Sequence, residues 1–392
     1  AATGRMLHWA CAGRQGKLRR DWVMRPNRFS AFLCAGCLLA LLGLLATSCG
    51  RSAASTATPT PTRTPTRMPS PTRAPTATAT GTPTCTPTAT RNPSVNPLTG
   101  LAVPPANLQR LPILARIGND PQIRPQAGLA QADIVYEDIM DGWWVTRLTA
   151  IYLGTDPETI GPIRSARLVN IELANQYQGA LVHSGASDRV RWLISQEDFV
   201  NLDEFFHPQP YYYINSLGWM GRLHTTGKAI REYLSAKGWE RPVQLRGFCF
   251  SQEVPAGEMA KEVSIPYPAT SAVTFQYDES SGRYLRWVQG APHLDRESGK
   301  QLSASNVIVQ FVPHEKTDIV EDTNGAPSIR IVMTGRGEAW LFRDGVVQKG
   351  FWERNGKKEM TRFLDPSGKE LCLKAGQTWV ELVPPGYEIA YK

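Results

Sequence analysis

Cysteine is scarce in the parts of the chain that could form a folded domain. Of seven cysteines in 392 residues, two fall in such segments, Cys249 and Cys372. The other five are Cys11, Cys34, Cys37, Cys49 and Cys85. Two distant cysteines exclude a disulfide framework and a cysteine-based zinc motif, and their spacing does not decide whether they pair.

Sequence motifs for several common chemistries are also missing. The chain has no P-loop, no G-x-G-x-x-G dinucleotide fingerprint and no H-E-x-x-H metal motif. Ser165 and Ser184 do not lie in a G-x-S-x-G nucleophile elbow. We therefore predict no metal and no cofactor.

Acidic residues are nearly absent from the first 90 residues. This stretch holds 11 of the 43 Lys and Arg residues but one of the 35 Asp and Glu residues, so it accounts for the formal charge of +8. The rest of the chain carries a net charge of −2. It lacks the basic character that nucleic-acid binding requires, and no nucleic-acid partner is expected.

The C-terminal half of the segment 1–48 is typical of an export signal. Arg25 and Arg28 precede an apolar run that ends in small residues before Cys49. This pattern predicts a lipoprotein with Cys49 as its lipid attachment residue, anchored to the cell membrane outside the cytoplasm. An uncleaved membrane-spanning anchor is the alternative, and lipidation is favoured. Residues before Met24 do not fit a signal and are interpreted as read-through.

Residues 49–96 consist mainly of Thr, Pro, Ala and Arg. Such a segment has too little apolar surface to offset the entropy of ordering, and frequent Pro favours extended conformations. We interpret it as a disordered tether that separates the folded part from the membrane.

The remaining length suits two domains. Residues 97–255 alternate strand-like and helix-like segments, which predicts an α+β or α/β domain with a polar pocket. Residues 256–392 contain short strand-like runs separated by Gly, Asp and Ser turns, which predicts a smaller, mostly β domain.

A β-hairpin is predicted around Asp141-Gly142, because Asp-Gly between strand-like runs is a strong hairpin signal. With a two-residue loop, Glu137 would face Thr146. Asp138 would then lie one diagonal step from Arg147.

A helix is predicted from Pro162 onwards, with Pro162 in its first turn. Arg164 and Arg167 would then share a helix face. A strand that ends near His183 is predicted after the first helix. Further helices are predicted at 188–195 and 225–237.

Several long strings carry a family resemblance. They are NPLTGL at 96–101, RPQAGLAQADIVYE at 124–137, TRLTAIYL at 146–153, IGPIRSARLVNIELA at 160–174, RLHTT at 222–226 and NVIVQ at 306–310. These strings resemble the YerB-type bacterial lipoproteins, a family named as a domain of unknown function. The resemblance implies an extracytoplasmic lipoprotein with an N-terminal family domain and a smaller β-rich C-terminal domain. It implies no established reaction, cofactor or substrate.

Polar residues in and near these strings are candidates for a pocket that binds an anionic ligand, because arginine forks suit carboxylate and phosphate groups. The candidate ligand-binding residues are Asn119, Arg124, Gln126, Thr146, Arg147, Arg164, Ser165, Arg167, His183, Arg222 and His224. Glu137 and Asp133 are the candidate catalytic acid or base. A structural Arg–Asp network is an equal alternative for the arginines, and a buried core histidine is an equal alternative for His183. For Trp143, Trp144, Trp219 and the run Tyr211–Tyr213, core packing is favoured over a sugar-binding groove.

Two functions remain open at this point. The first is an envelope module that binds an anionic cell-wall-related ligand or a partner protein without catalysis, with peptidoglycan or another envelope protein as candidate partners. The alternative is a hydrolase or lyase that acts on peptidoglycan through Glu137 or Asp133. A close carboxylate pair in an open cleft would favour the enzyme, and buried carboxylates bound by arginine would favour the binding module.

Overall fold

The computed structural model describes residues 94–268 and 270–392. Strands account for 39% of the structure and helices for 16%, so the fold is mostly β. The helices are α1 (Leu168–Tyr177), α2 (Asp188–Ser195), α3 (Gly218–Gly221) and α4 (Gly227–Ala236). The strands are β1 (Ile113–Gly118), β2 (Ile134–Ile139), β3 (Thr146–Tyr152), β4 (Ala180–His183), β5 (Val200–Asp203), β6 (Tyr211–Tyr213), β7 (Leu223–Thr225), β8 (Glu258–Met259), β9 (Glu262–Ile265), β10 (Val273–Asp278), β11 (Arg283–Val288), β12 (Ala291–Pro292), β13 (Ser303–Ala304), β14 (Asn306–Phe311), β15 (His314–Val320), β16 (Pro327–Ile331), β17 (Gly335–Arg343), β18 (Val346–Arg354), β19 (Arg362–Leu364), β20 (Thr378–Val383) and β21 (Ala390–Tyr391).

A mixed sheet runs through the described part of the chain, in the order β19-β18-β17-β14-β20-β2-β3-β1-β4-β5, with β8 paired to β18. β2 and β20 are parallel neighbours, and Glu137 lies opposite Glu381. β2 belongs to the region predicted as the first domain, and β20 belongs to the region predicted as the second. The two regions therefore contribute to one sheet, and the boundary near residue 255 stays a prediction.

Both faces of this sheet are buried in its central strands β14, β20, β2, β3 and β1. In β2, Val135 and Ile139 point into one core, whereas Ile134 and Tyr136 point into the other. Residues of α4 and of the sheet β12-β11-β10-β9-β21 belong to the first core, and residues of α1 and α2 belong to the second. Strands with two buried faces have nearly continuous apolar sequences, as β14 and β20 do.

The predicted β2–β3 hairpin forms, but its predicted register is wrong. Asp138 pairs directly with Arg147, and Glu137 pairs with Leu148 rather than with Thr146. The cause is a longer loop, in which Asp141–Trp143 forms a short 3-10 helix. Because the shift is two residues, it keeps every side chain on its predicted face. Glu137 and Thr146 therefore remain neighbours, one diagonal step apart.

The predicted start of the first helix is also wrong. α1 begins at Leu168, with Arg167 as its N-cap, and Pro162 lies well before it. The backbone of residues 162–164 instead bridges the edge of β1, where Gly118 N donates to Pro162 O (3.0 Å) and Arg164 N donates to Arg116 O (2.8 Å). These tertiary hydrogen bonds satisfy backbone groups that a helix would otherwise use. Arg164 and Arg167 therefore do not share a helix face.

The other predicted helices are confirmed. The segment 188–195 forms α2, and the segment 225–237 contains α4, whose N-cap Thr226 accepts a hydrogen bond from Ala229 N at 2.9 Å.

Cys249 and Cys372 form a disulfide, which links segments 123 residues apart. Disulfides of this kind persist in oxidising compartments.

The predicted signal segment 1–48, the lipid attachment residue Cys49 and the tether up to residue 93 lie outside the described residues. From residue 94 onwards, every described helix is too short or too polar to cross a bilayer.

Candidate functional site

Glu137 lies at the centre of a buried hydrogen-bond network. Its Oε1 accepts hydrogen bonds from Asn119 Nδ2 at 3.2 Å and from Thr146 Oγ1. Asn119 Oδ1 in turn accepts from Arg124 Nε and from Gln126 Nε2, each at 2.9 Å. The fold therefore brings together five of the residues that the sequence singled out.

Arg286 and Glu381, two charged residues that were not predicted from the sequence, also belong to this network. Arg286 donates to Glu137 Oε2 through Nη2 and, at 3.3 Å, to Glu381 Oε1 through Nη1. All three side chains are fully buried, and the guanidinium of Arg286 also lies 4.2 Å from the centre of the Trp379 ring. One cation thus bridges two carboxyl groups on neighbouring strands.

His293 links this ion cluster to the amides. Arg286 Nε donates to His293 Nδ1 at 3.0 Å, so His293 Nε2 carries the proton and donates to Gln126 Oε1 at 2.7 Å. Burial lowers the pKa of His293 well below its usual value, and the charges of Arg286 and Arg124 lower it further. His293 is therefore neutral at physiological pH.

The two carboxyl groups share one cation. Burial raises the pKa of Glu381 well above its usual value, Glu137 raises it further, and Arg286 opposes both effects. One guanidinium offsets only one of two negative charges, so the cluster favours a proton held by the pair. Since both carboxyl groups are fully buried, this geometry favours a structural role for Glu137 over acid–base catalysis on a polymer.

Asp133 lies apart from Glu137. Its Oδ2 accepts from Leu153 N (2.6 Å) and Gly154 N (3.0 Å), and its Oδ1 accepts from Asn96 Nδ2 (2.9 Å). Burial raises the pKa of Asp133 to about 6, although these hydrogen bonds act in the opposite direction. At a strand rise of roughly 3.3 Å per residue, the backbones of Asp133 and Glu137 are about 13 Å apart, which is too far for a glycosidase pair.

A second group of predicted residues gathers on the other face of the sheet, at the start of α1. Arg147 is 7% exposed and donates through Nη1 to Ser165 O at 2.8 Å, while its Nε has no hydrogen-bond partner among the described residues. No carboxylate of residues 94–268 or 270–392 forms an ion pair with it. Arg167 differs, because its Nε pairs with Asp141 Oδ1 at 2.6 Å.

Arg147 has three arginines and one aspartate among its charged neighbours. Burial lowers the pKa of Arg147 well below its usual value, Arg167, Arg116 and Arg164 lower it further, and Asp141 raises it. Burial also lowers the pKa of Arg164, whereas Asp120 raises it, and the buried Nε of Arg164 has no hydrogen-bond partner in the described part of the chain. Arginines beside a helix N-terminus form an environment that suits an anion.

The remaining predicted residues lie elsewhere. His183 is fully buried, with Nδ1 2.9 Å from Gly185 O and Nε2 2.7 Å from Asn201 Oδ1, as expected for a core histidine. His224 is buried with Nδ1 3.1 Å from Arg222 O. The side chain of Arg222 lies against surface aromatic rings. The fold thus divides the single predicted pocket into separate places.

A surface pocket of about 370 Å³ adjoins the Glu137 network. Arg124 and His293 lie in its wall, together with the largely apolar residues Pro121, Pro125, Val288, Gln289, Ala291, Pro292 and Leu294. The guanidinium of Arg124 is engaged by Asn119 O (2.6 Å) and Thr270 O (2.8 Å). The cationic group in the wall of this pocket is therefore already bound by protein groups.

Core packing is the wrong interpretation for five of the six aromatic residues considered. Trp144 and Trp219 are each 77% exposed. Trp143 is 37% exposed, and Tyr212 and Tyr213 also lie at the surface.

A sequence signal for Arg286 and Glu381 does exist. Each is a lone charged residue inside an apolar strand run, YLRWV and TWVELV respectively. A charge at such a position must find a buried partner, because an unpaired buried ion is very costly.

Among the described residues, no group of three or more His, Cys, Asp or Glu side chains could hold a metal ion.

Comparisons with known proteins agree with this architecture. The family model for the N-terminal domain of a protein of unknown function (DUF3048) matches residues 98–240, and the model for the DUF3048 C-terminal domain matches residues 263–380. The chain belongs to the DUF3048 family. A curated relative in Bacillus subtilis (strain 168), named "Putative lipoprotein YerB", is 30% identical over 303 residues, which cover 74% of this chain and 86% of that protein.

A solved member of the DUF3048 family has the same fold. The crystal structure of YerB from Bacillus subtilis aligns with a TM-score of 0.66 and 26% identity, over 76% of this chain and 99% of that chain. The resemblance to the YerB-type family is therefore confirmed. Almost all of that crystallised chain is matched by this chain.

Proposed function

We propose that this protein is a lipid-anchored, extracytoplasmic module that binds an anionic ligand of the cell envelope, without catalysis, at the start of α1. The anchor is Cys49. The name of the relative in Bacillus subtilis and the Cys249–Cys372 disulfide both support this location. The chemical class of the ligand is a carboxylate or phosphate, as found in peptidoglycan stem peptides and wall polyanions.

The observation that carries this proposal is the state of Arg147. Among the described residues this nine-tenths buried guanidinium has no carboxylate partner, so it loses hydration without regaining an ion pair there. Its neighbour Arg116 shows the usual solution, a two-oxygen ion pair with the buried Asp138. A ligand anion between Arg147 and Arg164 would supply the missing charge, with bidentate geometry that arginine favours.

The alternative, a peptidoglycan hydrolase or lyase, has less support. Glu137 is fully buried and held by Arg286, and Asp133 caps backbone amides. We therefore place the arginines in the binding role and Glu137 in a structural role.

Titration calorimetry on residues 94–392 tests the binding site. The probes are inorganic phosphate, a soluble polyglycerol phosphate and purified muropeptides with free carboxylates. Arg164→Gln should weaken binding at least tenfold, because it removes one fork of the site. Arg336→Gln is the matched control, since Arg336 is a half-exposed arginine far along the chain in β17. Failure of every anionic probe to bind, or equal binding by the Arg164 variant, would overturn the proposal.

The hydrolase alternative has its own readout. Wild type and Glu137→Gln are incubated with peptidoglycan, and released fragments are identified by mass spectrometry. Fragments from wild type would establish the enzyme, and their absence from a variant that circular dichroism shows to be folded would assign the acid or base to Glu137. An absence of fragments from both would favour the binding module.

A further inference from the structure

Two neighbouring loops form an exposed aromatic surface that the anion site does not use. Phe205 and Phe206, in the loop after β5, are 69% and 61% exposed and pack edge to face at 5.0 Å. Trp219, in the connection between β6 and β7, is 77% exposed, and Tyr213 at the end of β6 is 48% exposed. Tyr213 Oη donates to Glu204 Oε1 at 2.5 Å, which ties the two loops together. We call Phe205, Phe206, Tyr213, Trp219 and the arginines beside them the aromatic patch.

Arginines lie between these rings. The guanidinium of Arg222 is 4.2 Å from the centre of the Trp219 ring and 4.9 Å from that of Tyr213. The guanidinium of Arg191 is 5.2 Å and 5.7 Å from the two Phe rings, and it pairs with Asp203 at 2.9 Å. Arg222 forms no ion pair with a carboxylate within the described ranges. The patch therefore combines apolar bulk with two guanidinium groups. Arg191 is paired with Asp203, and Glu204 is bound by Tyr213, so Arg222 is the cation of the patch without an ion pair in the described ranges.

This combination matches the chemistry of a bilayer surface. Aromatic residues are enriched at the level of the lipid headgroups, and arginine is attracted to anionic headgroup phosphates. Isolated exposed apolar residues need no explanation, but a contiguous group of them marks an interaction surface. The phenylalanines favour a bilayer over a glycan, because they offer apolar bulk and no polar group to hydrogen-bond a sugar.

We propose that the aromatic patch docks the folded part onto an anionic membrane surface. Phe205, Phe206 and Trp219 enter the headgroup region, while Arg222 contacts lipid phosphate. This inference rests on the lipid anchor of the proposed function, because an anchored chain stays near the bilayer and even a weak contact is then populated. The contacts between the aromatic patch and the lipid do not themselves require the anchor.

Vesicle co-sedimentation of residues 94–392 tests this docking separately from lipidation, since this part of the chain lacks Cys49. The vesicles contain either phosphatidylcholine alone or an equal mixture of phosphatidylcholine and phosphatidylglycerol, at millimolar lipid. We expect binding to the anionic vesicles, at least fivefold weaker binding to the neutral ones, and a decrease with added salt.

Matched variants assign the binding to the patch. Trp219→Ala and Arg222→Glu should each reduce vesicle binding at least fivefold. Trp144→Ala is the control for Trp219, because Trp144 is equally exposed but lies in the β2–β3 loop. Arg336→Glu is the control for Arg222, because Arg336 also stacks on an aromatic ring, that of Phe351 at 4.5 Å, and the charge change is the same.

Three results would overturn the docking proposal: no binding to anionic vesicles, equal losses in the patch and control variants, or retention on purified peptidoglycan instead of vesicles through the same residues. Failure of the anchor would appear differently, as a full-length chain that remains soluble after cell fractionation while residues 94–392 still bind vesicles.

Discussion

At the scale of single residues, the buried arginines Arg116 and Arg147 allow a structural role to be distinguished from a binding role. Arg116 is paired with Asp138, whereas Arg147 has no acidic partner among the described residues. Removing one member of a buried ion pair leaves an uncompensated charge and costs about 3–5 kcal/mol, whereas removing an unpaired charge does not. We therefore expect Arg116→Met to destabilise by about 3–5 kcal/mol. Arg147→Met should be close to neutral or stabilising while ligand binding is lost.

Urea unfolding of the two variants measures this difference. If Arg147→Met costs as much as Arg116→Met, the charge of Arg147 is already satisfied in the free protein and its role is structural. Binding residues that lower stability are common, because function and stability are selected separately.

The Glu137–Glu381 pair gives a prediction about pH. The folded-state pKa of Glu381 lies above its unfolded value of about 4.3, so the native state holds a proton that the unfolded state releases. Its contribution to stability is therefore fully present below pH 4 and is lost as the pH rises towards the folded pKa. Glu381→Gln keeps a neutral side chain at every pH, so the variant should gain stability relative to wild type as the pH rises from 4 to 8.

Glu137→Gln is the contrasting variant. It removes the carboxyl group that pairs with Arg286 and should cost about 3–5 kcal/mol at pH 7. Thermal unfolding at several pH values compares the three proteins. Equal losses in the two variants would contradict the raised pKa of Glu381.

Sequence reasoning found one half of this cluster and missed the other for a physical reason. Asn119, Gln126, Glu137 and Thr146 are close in the sequence and stand in distinctive strings. Arg286 and Glu381 reach Glu137 through pairing between β2 and β20 and through packing of β11, and no local pattern specifies those contacts. Long-range pairing is the information that a single sequence carries least directly.

At the scale of secondary-structure elements, two Asp-Gly pairs show what a local signal can decide. Asp344-Gly345 joins β17 and β18 directly, with Arg343 opposite Val346 and φ values of 54° and 78° that a type I′ turn requires. Asp141-Gly142 has the same residues but lies in a longer loop, where Trp143 takes the second positive φ. Both dipeptides lie in hairpins, but the same dipeptide gives the register in one and not in the other, because the flanking residues decide the length of the loop.

Helix caps provide a prediction at this scale. Thr226 caps α4 with its side chain, whereas Ser187 at the N-cap of α2 makes no side-chain hydrogen bond to the helix. Thr226→Ala should therefore cost about 1 kcal/mol and Ser187→Ala clearly less. Chemical denaturation measures both changes. A larger loss for Ser187→Ala would contradict the assignment of the caps.

At the scale of the whole molecule, the shared sheet determines how the protein unfolds. Separate family models cover residues 98–240 and 263–380, and the change in sequence pattern near residue 255 suggests two independent domains. The pairing of β2 with β20 instead places their strands side by side in one sheet, and the Glu137–Arg286–Glu381 cluster lies across that junction. Removing one region would leave the other with an unpaired strand edge and an unpaired buried charge.

We therefore expect residues 94–392 to unfold in one cooperative transition. The intrinsic fluorescence of the tryptophans and the far-ultraviolet circular dichroism of the sheet should give the same midpoint in urea, and the calorimetric and van't Hoff enthalpies should agree. Residues 94–255 alone should fail to fold, since β2 would lose β20 as its neighbour. Two separate transitions, or a folded 94–255 fragment, would show that the regions are independent domains that only happen to share an edge. A single transition would mean that each region completes the other, because the cation that neutralises Glu137 comes from the second region and the carboxylate that holds Arg286 comes from the first.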